Sequence, residues 1–185
     1  TGRSYTIKEL ASYSFLLEHF YIVDETTSMT KQDLNGTKLV TMDLSAKLGK
    51  EEPLVLIYHT HGSETYKKVN GKEGSVIEVG TALTKELENV YGIKTVHDKS
   101  VYDMVDGQLD RNAAYNFAGD SVEAALRKNP SVKVVIDLHR DSVENNIHLR
   151  TKINGKSAAQ IMFFNGVSRL ASKGDIGYLY NPNKE

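Results

Sequence analysis

An α/β fold is expected: a three-layer sandwich with a mainly parallel central sheet and a β-hairpin near the C-terminus. Three observations lead there. Two apolar runs of strand length, Pro53–Tyr58 and Lys133–Leu138, each end abruptly in histidine and carboxylate. An amphipathic helix and a second helical pattern lie between them, so strand and helix alternate. Lastly, Asn154-Gly155 stands between two β-forming segments, the signal of a tight hairpin.

In chain order, apolar residues at 7, 10, 15–17 and 20 fit a helix loosely over 5–22, though Tyr21-Ile22-Val23 also reads as a strand start. Residues 24–50 are polar, with Asn35-Gly36 as a breaker and Leu39–Leu44 as a short strand. Residues 1–50 read as a lead-in packed on the main fold, and 51–185 as the domain that carries the chemistry. A strand at 54–60 is followed by a loop over 62–74 and a helix over 75–91. Val76, Val79, Leu83, Leu87 and Val90 keep the 3–4 spacing of one buried face. Ser75 and Glu78 form a capping box, and Gly92 is placed as a C-cap glycine. A strand at 93–97, a helix around 111–128 stopped by Asn129-Pro130, and the strand at 133–139 complete the core. The hairpin pairs 147–153 with 158–164.

Composition removes several functions. At 185 residues the chain can bury a core, and its formal charge of −1 offers no field for nucleic acid. It has no cysteine, which excludes disulfides and thiolate metal sites. No run reaches the ~18–20 apolar residues of a membrane span, and no signal peptide is present. The chain opens at Thr1-Gly2-Arg3 without methionine, so an excised part of a longer protein is expected. No G-x-S-x-G elbow, P-loop or G-x-G-x-x-G occurs.

The chemistry concentrates at the two strand ends. His61-Gly62-Ser63-Glu64 puts two ligand types three residues apart at a strand-to-loop turn, and His139 closes the set from a second strand. Two imidazoles and a carboxylate leave tetrahedral zinc one open position, as in catalytic sites. A lone strand-end histidine is more often a hydrogen-bonding residue, and H-x-x-E alone is a common accident. His59, two residues before His61 on the same strand face, is either a ligand or a group that orients one. Glu73 is the rival third ligand, and Glu78 reads as a cap. His97-Asp98 lies at another strand end, lining the cleft or its rim. Arg140 and Asp141 form an ion pair or bind a substrate carboxylate or carbonyl.

These residues resemble a known family. Ile57–Tyr66 is similar to the "IYHTHxxESY" signature of the stage II sporulation protein P family, and Val135–Ser142 to its "xIDxHRDS". Val79-Gly80, Gly92-Ile93 with His97-Asp98, and Ile153–Lys156 look like further segments of it. The resemblance implies a sporulation peptidoglycan hydrolase, a zinc-dependent N-acetylmuramoyl-L-alanine amidase that cuts the MurNAc–L-alanine amide. Endopeptidase activity on cross-links is implied too, during engulfment of the forespore. The implied partners are peptidoglycan, a lytic transglycosylase and the membrane protein of the same stage II complex. An N-terminal helix outside this chain would tether the protein to the mother-cell membrane, facing the wall.

Carried over, His61 and His139 match the family's essential histidines, and Glu64 an acidic position of its first motif, which ranks it over Glu73. Amidases of this type take a general base from a glutamate in a Glu-x-Gly-like context near the C-terminus. None follows His139 here: Glu144 sits in the next loop and Glu185 ends the chain, so a truncated domain is expected and no catalytic base is named. Two alternatives stand beside the amidase: a zinc carboxypeptidase-like enzyme with Arg140 on a free carboxylate, and a non-catalytic peptidoglycan-binding or scaffold fragment. Residues 1–50 and the 98–112 loop are possible partner surfaces.

Overall fold

Val55–Tyr58 is the middle strand of a three-stranded parallel sheet, and its C-terminal end sets the position of everything chemical that follows. The computed structural model describes residues 3–46, 51–67, 73–144 and 146–177. In chain order these form α1 (Ile7–Leu10), α2 (Tyr13–His19), α3 (Gly36–Thr41), β1 (Val55–Tyr58), α4 (Val76–Asn89) and β2 (Thr95–His97). Then come β3 (Met104–Val105), β4 (Gln108–Leu109), α5 (Arg111–Lys128), β5 (Val134–Asp137), β6 (Arg150–Ile153), β7 (Lys156–Ala159), β8 (Arg169–Leu170) and β9 (Gly174–Asp175). Two compact units result: Ala46–His148, and Thr1–Ser45 together with Leu149–Glu185.

In the first unit the strand order is β2-β1-β5, all parallel, as the β-α-β-α-β reading expects. The register pairs Ile57 with His97 and with Ile136, and Tyr58 with Asp137. Alternation along the strands therefore sends Ile57, His59 and His97 to one face and Tyr58 and Asp137 to the other. Gly80 of α4 lies against His59 and His97, whereas Tyr58 interacts with Tyr115 of α5. One helix thus covers each face, which makes the three layers. Val55, Leu56 and Ile57 are all buried, as a central parallel strand requires.

Two details differ from the sequence reading. β5 is an edge strand, so Val134 and Val135 are each 44% exposed rather than buried on both sides. The inner face of α4 runs through Val76 and Gly80, leaving Val79 and Val90 exposed. A glycine at the contact lets the helix approach the buried His59 ring and the half-buried His97 ring, and that turns the valines outward. Ser75 and Glu78 do form the capping box, and Gly92 takes the left-handed conformation (φ 67°) expected past a helix end. α5 buries Ala114 and Ala118, small residues one turn apart.

In the second unit the 5–22 stretch is two short helices, each capped by a hydroxyl, Thr6 on α1 and Ser12 on α2. Residues 36–41, expected in part as a strand, are helix α3: the Asn35 side chain accepts the Lys38 N–H at 3.0 Å, so the supposed breaker is an N-cap. A Cβ on Gly36 would lie 2.3 Å from the Leu10 carbonyl oxygen, which explains a glycine in the first turn. β6 and β7 pair through Asn154-Gly155, both at positive φ, as an Asn-Gly hairpin should. The second strand stops at Ala159 because its partner begins at Arg150; Ile161–Phe164 lie outside it and are exposed. Arg169 ties this unit together, its guanidinium reaching Asp33 and Asp175.

Candidate metal centre

β1 ends at Tyr58, and the next six residues fold back under constraints that can be counted. Thr60 donates its backbone N–H and its hydroxyl to the two oxygens of Asp137, at 2.9 and 2.6 Å. Ser63 does the same to Asp103, at 3.1 and 2.5 Å, and Asp103 is fully buried. Between these anchors Glu64 N–H donates to the His61 carbonyl at 3.1 Å, closing a turn that brings both side chains to one side. Gly62 is needed there: a Cβ would lie 3.0 Å from the Ser100 carbonyl and 3.1 Å from Val101 Cα. On the neighbouring strand, Leu138 N–H donates to the Tyr58 carbonyl at 2.9 Å, which carries His139 to the same end of the sheet.

His61, Glu64 and His139 consequently form one cluster, with one ligand atom from each lying within 4.8 Å of the others. Among the described residues it is the group of three or more such side chains able to hold a metal ion. Both imidazoles turn Nδ1 towards the carboxylate: His61 at 3.6 Å from Oε1, His139 at 3.8 Å from Oε2. Their other nitrogens face acceptors. His139 Nε2 is 2.9 Å from Asp137 Oδ2, and His61 Nε2–H donates to the Arg111 carbonyl at 3.4 Å. This is how ligating histidines are held: the far nitrogen bonded, the near one presented to the ion. Donors around tetrahedral zinc stand ~3.3 Å apart, so small side-chain rotations would close the set. The residues fit a metal ion in chemistry and spacing.

The electrostatics agree. The hydrogen bond His139 donates to Asp137 raises the His139 pKa above its ordinary value, outweighing the burial that lowers it. Burial pushes Asp137 up, but hydrogen bonds from His139 and Thr60 bring its carboxyl below the ordinary value. Asp137 is therefore anionic at neutral pH and supports a proton on the far nitrogen of His139. Burial, then the Asp137 charge, push the Tyr58 hydroxyl up to about 12.

The remaining sequence candidates distribute as follows. Glu73 accepts the Thr65 hydroxyl at 2.8 Å and is outside the cluster. Glu78 caps α4. Arg140 donates its backbone N–H to Glu64 Oε2 at 2.8 Å, and its buried Nε has no hydrogen-bond partner. The guanidinium reaches the Asp141 backbone carbonyl, not its carboxylate, which instead accepts the Ser142 N–H at 2.8 Å. Glu144 lies exposed in the loop after β5, and Glu185 lies outside the described residues. His59 is fully buried behind the cluster: Nδ1 is 2.9 Å from the Leu138 carbonyl and Nε2 is 2.9 Å from His97 Nε2. His97 is thus packed under α4, away from the rim. Sequence reasoning missed Asp137, Thr60, Ser63 and Asp103. Asp137 was within reach, since D-x-H on a strand puts both side chains on one face; Asp103 had no local signal.

Comparison with known proteins yields a family. The curated "Stage II sporulation protein P" of Bacillus subtilis (strain 168) is 28% identical over 127 residues, covering 63% of this chain and 31% of that protein. The chain thus spans about a third of that relative's length. No solved structure matches. The family model for Stage II sporulation protein P (SpoIIP) matches residues 6–175. With nearly its whole length matched, and both histidine-bearing strand ends inside the match, the chain belongs to the Stage II sporulation protein P family.

Proposed function

We propose that this chain carries the metal site of a sporulation peptidoglycan hydrolase, a zinc-dependent N-acetylmuramoyl-L-alanine amidase. The observation that supports this reading is the His61–Glu64–His139 cluster at the C-terminal ends of two adjacent parallel strands. Those three residues would hold the ion. Zinc bound there supplies Lewis-acid polarisation of an amide carbonyl and acidifies a water towards neutral pH. The chain's own part is orientation. Asp137 holds the His139 ring, Thr60 holds Asp137, and the Ser63–Asp103 pair holds the turn that bears His61 and Glu64. Tyr115, whose ring meets His61 edge-on at 5.3 Å, offers an apolar wall beside the cluster.

On this reading the substrate is the MurNAc–L-alanine amide, with endopeptidase cleavage of cross-links as a further activity. The setting is engulfment, on the wall side of the mother-cell membrane, with a lytic transglycosylase and a membrane protein as partners. No helix among the described residues is long and apolar enough to cross a membrane, so tethering would use another part of the protein.

A second reading, a carboxypeptidase-like enzyme, has one observation in its favour. Arg140 sits directly beside Glu64 with its Nε unpartnered, and a guanidinium there suits a free peptide carboxylate. Mass spectrometry of peptidoglycan digested with the chain, with and without chelator, separates the two. Whole stem peptides freed from glycan support the amidase, and release of single C-terminal residues supports the carboxypeptidase. Absence of any chelator-sensitive product both from this chain and from a C-terminally extended one would contradict both readings.

A further inference from the structure

The histidine pair behind the cluster has a determinate proton arrangement. A backbone carbonyl can only accept, so the 2.9 Å contact between His59 Nδ1 and the Leu138 oxygen places a proton on Nδ1. In a neutral ring Nε2 is then bare, and the 2.9 Å contact with His97 requires His97 Nε2–H to donate to it. His97 Nδ1 is left buried and without a partner, as the neutral tautomer implies. Burial, then His59 beside it, hold His97 down to about 4, so the His97 ring stays neutral around pH 7.

We infer that His97 is a positioning residue: by donating to His59 Nε2 it reinforces the Nδ1–H tautomer with which His59 grips the Leu138 carbonyl, and so helps set where His139 stands. The inference rests on the reading of His61, Glu64 and His139 as a metal site. The geometry that supports it is directional. His59 follows β1, Leu138 follows β5, and the bond between them spans the gap between strands just beyond their last paired residues, Tyr58 and Asp137. His139 is the next residue after Leu138, and on its other side the Leu138 N–H is already spent on Tyr58. Both polar groups of the Leu138 peptide positions are therefore committed, one by the sheet and one by His59.

Gly80 reports on the same arrangement. A Cβ at that position would fall 2.6 Å from His97 Nε2 and 2.8 Å from His59 Nε2, on the atoms that share the proton. α4 leaves room for the pair only because it has no side chain there. Gly80→Ala is thus a wedge that disturbs the pair without removing either imidazole.

The test combines long-range 1H–15N NMR of the histidine rings in the metal-free chain with zinc affinity measured against a chelator. The wild type is expected to show His59 protonated on Nδ1 alone. His97→Phe keeps a ring but removes the donor; His59 should then lose part of its preference for the Nδ1–H tautomer, and zinc should bind about tenfold more weakly or worse. His97→Gln, whose amide can donate, should restore both readouts, which a simple packing role would not demand. Gly80→Ala should behave as His97→Phe, and it replaces that variant in the comparison with His97→Gln if His97→Phe does not fold. A wild-type His59 protonated on Nε2, or unchanged tautomer and zinc affinity in His97→Phe or Gly80→Ala, would overturn the inference. Failure of the wild type to bind zinc would remove the metal reading, and the tautomer readout would still uphold or overturn the grip of His59 on Leu138.

Discussion

His139 Nε2 lies 2.9 Å from Asp137 Oδ2, two residues back along the same strand end, so the carboxylate that orients the histidine is built into the segment that presents it. Asp137 is in turn fixed by both donors of Thr60, two residues past the end of the neighbouring strand. Removing its charge while keeping its shape, Asp137→Asn, should weaken zinc binding about 10–100-fold with the fold retained. Isothermal titration with zinc measures this, and an unchanged affinity would show that His139 needs no such support.

Glu64 is buried between the two imidazoles and also accepts the Arg140 N–H. In Glu64→Gln the amide oxygen can keep that hydrogen bond while the anionic ligand is lost. Zinc affinity is therefore expected to fall by more than tenfold, with little change in metal-free melting temperature. A variant that binds zinc as the wild type does would remove Glu64 from the ligand set and reopen the place for Glu73.

Ser63 donates twice to the fully buried Asp103. Ser63→Ala deletes the hydroxyl donor and leaves a buried carboxylate under-satisfied, at a cost of about 1–3 kcal/mol. Urea unfolding of the metal-free chain reads the change directly. Because the same turn bears His61 and Glu64, zinc affinity should drop as well.

The unit formed by Thr1–Ser45 and Leu149–Glu185 carries its own pH signature. The Arg169 guanidinium holds the Asp33 carboxyl well below the usual carboxylate range, and bonds from Thr30 add to it. A folded pKa depressed below the unfolded value contributes stability that is present above about pH 4. It is lost as the pH falls towards the folded value. Asp33→Asn should accordingly be less stable than wild type at pH 7, with the gap closing on acidification below pH 4. A pH-independent gap in denaturant unfolding would assign the loss to packing instead.

Legibility in the sequence followed the range of the interactions. β1, α5 and β5 could be read because apolar runs and helix stops are local, and α5 ends at Lys128 as the following Asn129-Pro130 implies. His61 and Glu64 could be paired because three residues at a strand end make a single turn. The misread elements are those where a partner distant in sequence decides. Asn35-Gly36 reads as a breaker until Gly36 is seen against Leu10, and the face of α4 cannot be placed without His59 and His97 beneath Gly80. Asp103 and the His59–His97 bond join residues about forty positions apart, which no periodicity encodes. An Asp-Gly turn at 106–107, both residues at positive φ, is a readable hairpin signal inside the 98–112 loop.

If His61, Glu64 and His139 hold one zinc ion, X-ray absorption at the zinc edge reads that ligand set from the metal itself. The wild-type chain should take up one equivalent of zinc, with two imidazoles and oxygen ligands at ~2.0–2.1 Å, and His139→Ala should show one imidazole fewer. Zinc bound without histidine scattering, or a spectrum unchanged by His139→Ala, would contradict it.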